Sequence, residues 1–280
     1  MNAEKINIRS TFLPDEGCVM VRCDLSQIEH RMCMMYCGTP RTVDLANKKP
    51  TEYDAHTENA KLIFRKQEIN KQERYLGKKC VHGAERMMGG YRMSESIIKD
   101  TKGELYVHPR QCDQLLDAFY AAMPEIKGIY FPWVERQVRS VGVLTTSWGR
   151  RLLLKGRRID ESLYKEAYSY YLQAEAADWT NQYLFIPTYH YMIGRYGKAP
   201  NGQVHDEVIA CVPVEDAWEL AMFMQKAAQQ TREIPKGGGN WLTVPAEVSI
   251  GRSWGDKEAI EFKEVPGRDV FYQQLKEKGF

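Results

Sequence analysis

The stretch from Cys18 to Gly38, CVMVRCDLSQIEHRMCMMYCG, constrains the fold more than any other part of the chain. Val19 to Cys23 are β-branched or apolar apart from Arg22, the composition of a short buried strand. Asp24 stands where that strand should stop. Ser26 offers an N-cap oxygen, and Glu29 follows at capping-box spacing. Ile28, Met32, Met35 and Tyr36 then recur at i, i+4, i+7 and i+8, which predicts one apolar stripe on a helix ended by Gly38 and Pro40. A strand running into a helix would hold a carboxylate at the edge of a core, fixed by rigid elements on both sides. A metal ligand would be useful there, although an aspartate after a strand is ordinarily a turn or cap residue.

At 280 residues the chain can bury one large core or two smaller ones. It has no long apolar run and no charged-then-apolar leader, so no membrane span is expected and an intracellular location is. Seven cysteines form no C-x-x-C pair, which argues against a zinc ribbon and a disulfide framework. Cys33 and Cys37, one helical turn apart, read as neighbouring free thiols. The net charge of +2 is weaker than a simple nucleic-acid-binding domain carries, but the cations are clustered. Lys61, Arg65, Lys66, Lys71, Arg74, Lys78 and Lys79 fall in one span, and Arg150, Arg151, Lys155, Arg157 and Arg158 in another. Such clusters can grip a polyanion locally.

Residues 1–17 read as an extended lead-in with a turn at Pro14 to Gly17, and Pro40 to Pro50 as a polar connection. Asp54 is placed to cap a helix through Ala60, Leu62 and Ile63. Asn70 to Met88 is the most informative helix, with Asn70 and Glu73 at cap spacing. At a rotation of ~100° per residue, Arg74, Lys78, His82 and Arg86 share one side, and Leu76, Cys80, Val81, Ala84, Met87 and Met88 the other. A basic face is ordinarily just solvated; it can also meet an anion. Gly77 and Gly83 each cost about 1 kcal/mol relative to alanine in a helix, which points to a surface packed close against them, although glycine is also simply tolerated at such positions. Further helix is expected over 105–140 with a break near Pro124, and then a hairpin around Ser147-Trp148-Gly149 with a basic second limb. A long helix from Asp160 should kink or end at Pro187. Gln203 to Val212 reads as a hairpin with an acidic tip, Asp216 to Thr231 as a helix, Gly237 to Gly239 as a flexible turn and Val244 to Ile250 as a closing strand. The residues from Asp256 read as an exposed tail or terminal helix.

In order and spacing these segments resemble the polymerase domain of family A (DNA polymerase I-like) DNA polymerases, in a divergent phage-like form. The first motif stands as DLSQIEHR (Asp24 to Arg31), the second as Arg74-x3-Lys78-x3-His82-Gly83, and the third as QVHDEV (Gln203 to Val208). TTSWGRRLLL (Thr145 to Leu154), QAEAAD (Gln173 to Asp178), Asp54-Ala55-His56-Thr57 and Val248 to Trp254 fit the intervening and closing segments. The similarity thus runs from about Asn7 to Trp254. Each motif alone is weak; three in order are specific.

The resemblance implies an α+β fold. A palm with a small antiparallel sheet and flanking helices would take residues 1–45 and 158–280, and a mostly helical fingers domain residues 46–157. It also implies template-directed addition of dNTPs to a primer 3′ end, with primer-template DNA and dNTP as partners. In-line attack on an α-phosphate needs an activated hydroxyl and neutralisation of the leaving pyrophosphate. Two magnesium ions about 3.5–4 Å apart do both, and manganese can substitute. Magnesium takes oxygen ligands and keeps several waters, so two carboxylates at the ends of adjacent strands suffice. Asp24 and Asp206 are the candidates. Carried over by position, Arg74 and Lys78 are expected to meet the triphosphate, with Lys78 also protonating the pyrophosphate. His82 takes the place of an aromatic ring that stacks on the incoming nucleotide, and Glu29 matches the carboxylate that crowds the sugar 2′ position. Gln27 and Arg86 complete the nucleotide-binding set. His205 is expected beside the primer terminus, and Gln173, Arg150, Arg151, Lys165 and Arg31 along the DNA.

Some positions depart from the family pattern. Leu25 replaces a usual tyrosine, and Arg86 stands where a tyrosine shapes the nascent pair. Lys165 and Ser169 replace an arginine and an asparagine. Only 23 residues precede Asp24, too few for a helical thumb or a proofreading exonuclease, and no D-x-E motif stands there. Phosphate contacts supply most of the affinity for duplex, so a chain without a thumb should hold DNA poorly. The expectation is therefore the C-terminal half of a split polymerase, with thumb and exonuclease on a second chain, in the cytoplasm of a bacterial or phage-infected cell. Three rivals stand beside it. One is a catalytically weak or inactive polymerase-like module that binds DNA or a replication partner, and another a nucleotidyltransferase using ribonucleotides, which Glu29 opposes. A hydrolase built on His205-Asp206 has no other clustered histidines to support it.

Overall fold

A computed structural model describes residues 7–154, 156–235 and 238–280, so Lys155, Gly237 and the first six residues of the expected lead-in lie outside the described residues. The chain divides into two compact units, Met1–Ile28 with Ala176–Arg232 and Thr243–Phe280, and Glu29–Glu175 with Glu233–Leu242.

The first unit is built on β1 (Cys18–Leu25), which is central to a five-stranded sheet of order β4-β5-β1-β8-β9. Its partners β4 (Gly202–Val204), β5 (Glu207–Pro213), β8 (Ala246–Gly251) and β9 (Ile260–Phe262) are all antiparallel to their neighbours. Val21, Cys23 and Leu25 are fully buried, while Arg22 and Asp24 between them are not. Strand alternation therefore puts these two polar residues on the opposite face. Helix α10 (Ala217–Ala228) packs against β1 and β8, and its Gln225 donates to Ala246 O at 2.8 Å. The strand runs one residue past Asp24 rather than stopping before it, because Asp24 still pairs with Glu207 and Glu247 on its two sides. Of the two expectations for the charged C-terminal stretch, the terminal helix forms and the exposed tail does not. The stretch supplies β9 and then α11 (Arg268–Glu277), whose Phe271 and Leu275 are buried, with Phe271 stacked on Phe262 at 5.0 Å.

Helix α8 (Glu161–Trp179) begins in the second unit and continues through a π-helical segment, Thr180–Phe185, into α9 (Ile186–Tyr196). Pro187 neither ends the helix nor breaks it. It falls in the first turn of α9, where its missing N–H is tolerated just after the wider π turn.

The second unit is helical: α1 (Ile28–Cys37), α2 (Pro40–Asn47), α3 (Ala55–Phe64), α4 (Lys71–Ala84), α5 (Gly90–Asp100), α6 (Pro109–Ala122) and α7 (Phe131–Val141). The hairpin of β2 (Val143–Thr145) and β3 (Arg151–Leu153) follows α7. A further two-stranded sheet joins β6 (Thr231–Ile234) to β7 (Asn240–Thr243), with Gly238 and Gly239 at positive φ in the turn. Helix α1 departs from its expected single stripe, since Met32, Cys33, Met34, Met35, Tyr36 and Cys37 are all buried. It also opens at Ile28, after Gln27 at φ 57°, so Ser26 and Glu29 are out of register for a capping box. The expected polar connection after Pro40 is instead α2, started by the Thr39–Thr42 capping box with Pro40 in its first turn.

In α4 the Asn70–Glu73 capping box forms as expected. Its last turn closes with Met87 N on Ala84 O at 3.0 Å and Met88 N on Gly83 O at 2.9 Å, a Schellman pattern with Met87 left-handed at φ 55°. Regular helix thus ends at Ala84, short of the expected Met88, and Arg86 lies in the closing turn.

Candidate active site

Asp24 and Asp206, 182 positions apart in sequence, come together through the pairing of β1 with β5. Asp24 registers with Glu207, and Leu25 N donates to Asp206 O at 3.2 Å. With strands ~4.8 Å apart and ~3.4 Å per residue, the two aspartate α-carbons are about 6 Å apart. Asp24 is exposed and Asp206 half-buried, in the turn that His205 makes at φ 55°. Glu207 is committed elsewhere: its Oε1 accepts from Trp254 Nε1 at 2.7 Å, and Arg22 Nη1 lies 3.8 Å from Oε2. Burial, with the nearby Asp24 and Glu207 carboxylates, pushes the Cys23 thiol well above its usual range. Among the described residues no group of three or more His, Cys, Asp or Glu side chains is placed to hold a metal. Two hard carboxylates at adjacent strand ends fit a hydrated magnesium, which needs few protein oxygens.

In the second unit α4 presents the cations. Lys78 is exposed. Arg74 pairs with Asp54 at 2.8 Å and donates from Nε to Thr57 Oγ1 at 3.2 Å, tying α4 to the N-terminus of α3. Burial pushes the Asp54 acid up, but the Thr57 hydroxyl and Arg74 outweigh it and hold the carboxyl at about 2. His82 is half-buried with its ring 5.4 Å from that of His56. Burial lowers His82 to about 4; Glu85 pulls it up, while Arg86 and Lys78 push it down. Burial and the neighbouring His82 and Lys78 bring His56 to about 2. Arg86 donates from Nη2 to Glu29 Oε2, and His82 Nδ1 lies 3.9 Å from the same oxygen.

The remaining expected residues divide. Gln173, Arg150, Arg151 and His205 are exposed, and Lys165 pairs with Glu161 on its own helix at 2.6 Å. Gln27 is half-buried at the β1–α1 junction. Arg31 is a correction. It is 2% exposed, and its Nη1 donates to Ala46 O and, at 2.8 Å, to Lys48 O, so it holds the C-terminal end of α2 and cannot contact DNA.

Two buried arrangements escaped the sequence reading. Glu175, fully buried on α8, accepts from Tyr36 Oη at 2.5 Å and from both N and Oγ of Ser147 at 2.6 Å. It therefore anchors the turn of the β2–β3 hairpin, while Tyr170 Oη holds Arg150 O at 2.9 Å. An acidic residue among alanines on a buried helix face was the available signal. The second arrangement pairs His30 with Glu85 across 55 residues, which no local pattern reveals.

Known proteins resemble this chain over most of its length. The family model "DNA polymerase family A" matches residues 1–256. The chain belongs to that family. DNA polymerase I of Synechocystis is 27% identical over 258 residues, covering 84% of this chain and 26% of that protein. Thermostable DNA polymerase I of Thermus aquaticus is 24% identical, covering 87% and 28%. DNA polymerase I of Aquifex aeolicus is 26% identical, covering 89% and 41%. Among solved structures, the POL domain of Pol1 from M. smegmatis, in complex with DNA primer-template and dNTP, superposes with a TM-score of 0.69 at 21% identity, covering 88% of this chain and 42% of that one. The family A fold is therefore shared, an α+β architecture with a small antiparallel sheet. The chain spans between about a quarter and two fifths of the length of these relatives. No helix among the described residues is long and apolar enough to cross a membrane.

Proposed function

We propose that this is the catalytic chain of a template-directed DNA polymerase, adding dNTPs to a primer 3′ end by two-metal phosphoryl transfer. The observation that carries the reading is the β1–β5 register, which sets Asp24 beside Asp206. Asp24 and Asp206 would hold two Mg²⁺, or Mn²⁺ in their place. Bound there, the ions activate the primer hydroxyl and neutralise the leaving pyrophosphate. Lys78, exposed and three residues short of the buried Val81, neutralises the triphosphate and gives its proton to the pyrophosphate. Arg74 adds a second cation once it leaves Asp54. His82 stacks on the incoming base; burial keeps its ring neutral, so stacking needs no proton. Glu29 crowds the sugar 2′ position, with Gln27 at the same junction. His205, Gln173, Arg150, Arg151 and Lys165 line the primer-template, and Arg31 is excluded by its burial.

In this reading 1–45 and 158–280 form the palm and 46–157 the fingers. The rival reading, an inactive DNA-binding module, draws on one observation: Arg86 neutralises Glu29 where the family pattern has a tyrosine. Primer extension decides. Purified chain, primer-template, dNTP and Mg²⁺, with and without candidate partner chains, should give template-dependent extension that Asp24→Asn and Asp206→Asn each abolish. DNA binding without extension under every condition favours the rival.

A further inference from the structure

Two consecutive residues of α1 meet two consecutive residues at the end of α4, with the charges crossed. Glu29 accepts from Arg86, while the next residue, His30, puts Nδ1 2.5 Å from Oε1 of Glu85. The outer pair is half-buried, at 23% and 25% exposure; the inner pair is sealed, at 2% and 1%. Tyr120 Oη holds the carbonyl of Ala84, the residue before Glu85, at 2.8 Å, so the end of α4 is fixed on a third side. The inner pair is incompletely satisfied. His30 Nε2 and Glu85 Oε2 have no hydrogen-bond partner among the described residues, and neither has Arg86 Nε. Buried polar groups left short of partners lower stability, so packing alone would favour apolar side chains at positions 30 and 85. What the inner pair supplies is register: it sets where the peptide between Glu85 and Arg86 lies, and hence where the guanidinium points.

A carboxylate that excludes a 2′ hydroxyl must be held, because one that swings aside admits the larger sugar. Groups of this kind discriminate only when a supporting shell locks their rotamer to within about 0.5 Å. A guanidinium, always charged and with a rigid fork of donors, is suited to that task. We propose that these four residues act as one clasp, in which the buried His30–Glu85 pair fixes the end of α4 and Arg86 thereby locks Glu29 for selection between deoxyribose and ribose. Arg86 and Glu85 are thus positioning residues that act through Glu29. The inference rests on the polymerase reading of Glu29.

The test compares kcat/KM for dNTP and the matching NTP in the wild-type chain, with whatever partner chain it needs, and in three variants. Arg86→Gln should cut the dNTP preference at least tenfold, chiefly through better NTP incorporation, and Arg86→Lys should restore part of it. The double variant His30→Leu with Glu85→Leu replaces the inner pair by apolar groups, so it should stay folded and still lose preference at least threefold. A merely structural role would lower both nucleotides' kcat/KM together and leave their ratio alone. An unchanged ratio in an active Arg86→Gln chain overturns the clasp while the polymerase reading stands. Failure of the wild-type chain to incorporate either nucleotide under any condition overturns the polymerase reading and the clasp's role with it.

Discussion

The same substitution at two glycines of α4 should have opposite signs. A Cβ added at Gly77 would sit 2.5 Å from His56 O, 2.8 Å from Ala60 Cβ and 3.2 Å from Ala60 N, all on α3. Favourable heavy-atom separations are ~3.5–4.0 Å, so the methyl falls short by about 1 Å. None of these neighbours is the end of a flexible side chain, so the two helices must part. Overpacking of this kind costs about 1–3 kcal/mol, more than the ~1 kcal/mol that alanine gains over glycine in a helix. At Gly83 the new Cβ would meet Met88 Sδ at 3.4 Å, Met88 Cβ at 3.5 Å and Leu116 Cδ2 at 3.7 Å, ordinary contacts. The helix gain then survives. Gly77→Ala should therefore reduce stability by up to about 2 kcal/mol, and Gly83→Ala should increase it by up to about 1 kcal/mol. Urea midpoints at constant m-value read both. Equal or greater stability for Gly77→Ala would refute the close approach.

Arg31→Ala should cost about 2–4 kcal/mol in urea unfolding, because it leaves a cavity and strips the carbonyls of Ala46 and Lys48 of a buried donor; a loss of DNA affinity at unchanged stability would restore the DNA-contact reading. His56 and His82 are held below the ordinary histidine value of ~6.5, so the unfolded chain binds protons first as pH falls. Their contribution is complete above pH ~6.5 and is lost on acidification down to about 4 for His82 and about 2 for His56, at up to about 1.4 kcal/mol per pH unit for each. The double variant His56→Gln with His82→Gln should show a flatter urea midpoint between pH 7 and 5 than wild type, and an equally steep profile would contradict the assignment. Glu175→Gln should speed amide exchange at Ser147 at least tenfold, by removing the charged acceptor that holds the hairpin turn; unchanged protection would show the hairpin is fixed by other contacts.

The sequence was most legible where local chemistry decides structure. Asn70 with Glu73 capped α4, Asp54 capped α3, and the polar break in Gln203 to Val212 became the β4–β5 turn. It was least legible where burial comes from distant partners. Arg31 carries the charge of a DNA contact, yet every residue of its helix except Glu29 is buried, and such enclosure leaves no mark on a 3.6-residue period. The stretch from Asp256 is charged enough to leave a tail and a terminal helix both open; buried Phe271 and Leu275 seat the helix, and Phe262 a strand that neither expectation includes. In the sequence Pro40 reads only as a helix stop, and the eight residues of α2 are too few for the apolar period to register. Of the candidate site, Asp24, Asp206 and the α4 cations are proposed from ordered motifs, whereas the pairings of Glu85, His30 and Glu175 join segments far apart in sequence.

Two carboxylates brought together by one strand register are the centre of this account, and manganese tests them directly. Added stepwise to isotopically labelled chain, Mn²⁺ should broaden the NMR signals of Asp24, Asp206 and their neighbours in β1 and β5 first, and Asp24→Asn or Asp206→Asn should each remove that selectivity. Broadening centred elsewhere, or undiminished in both variants, would contradict it.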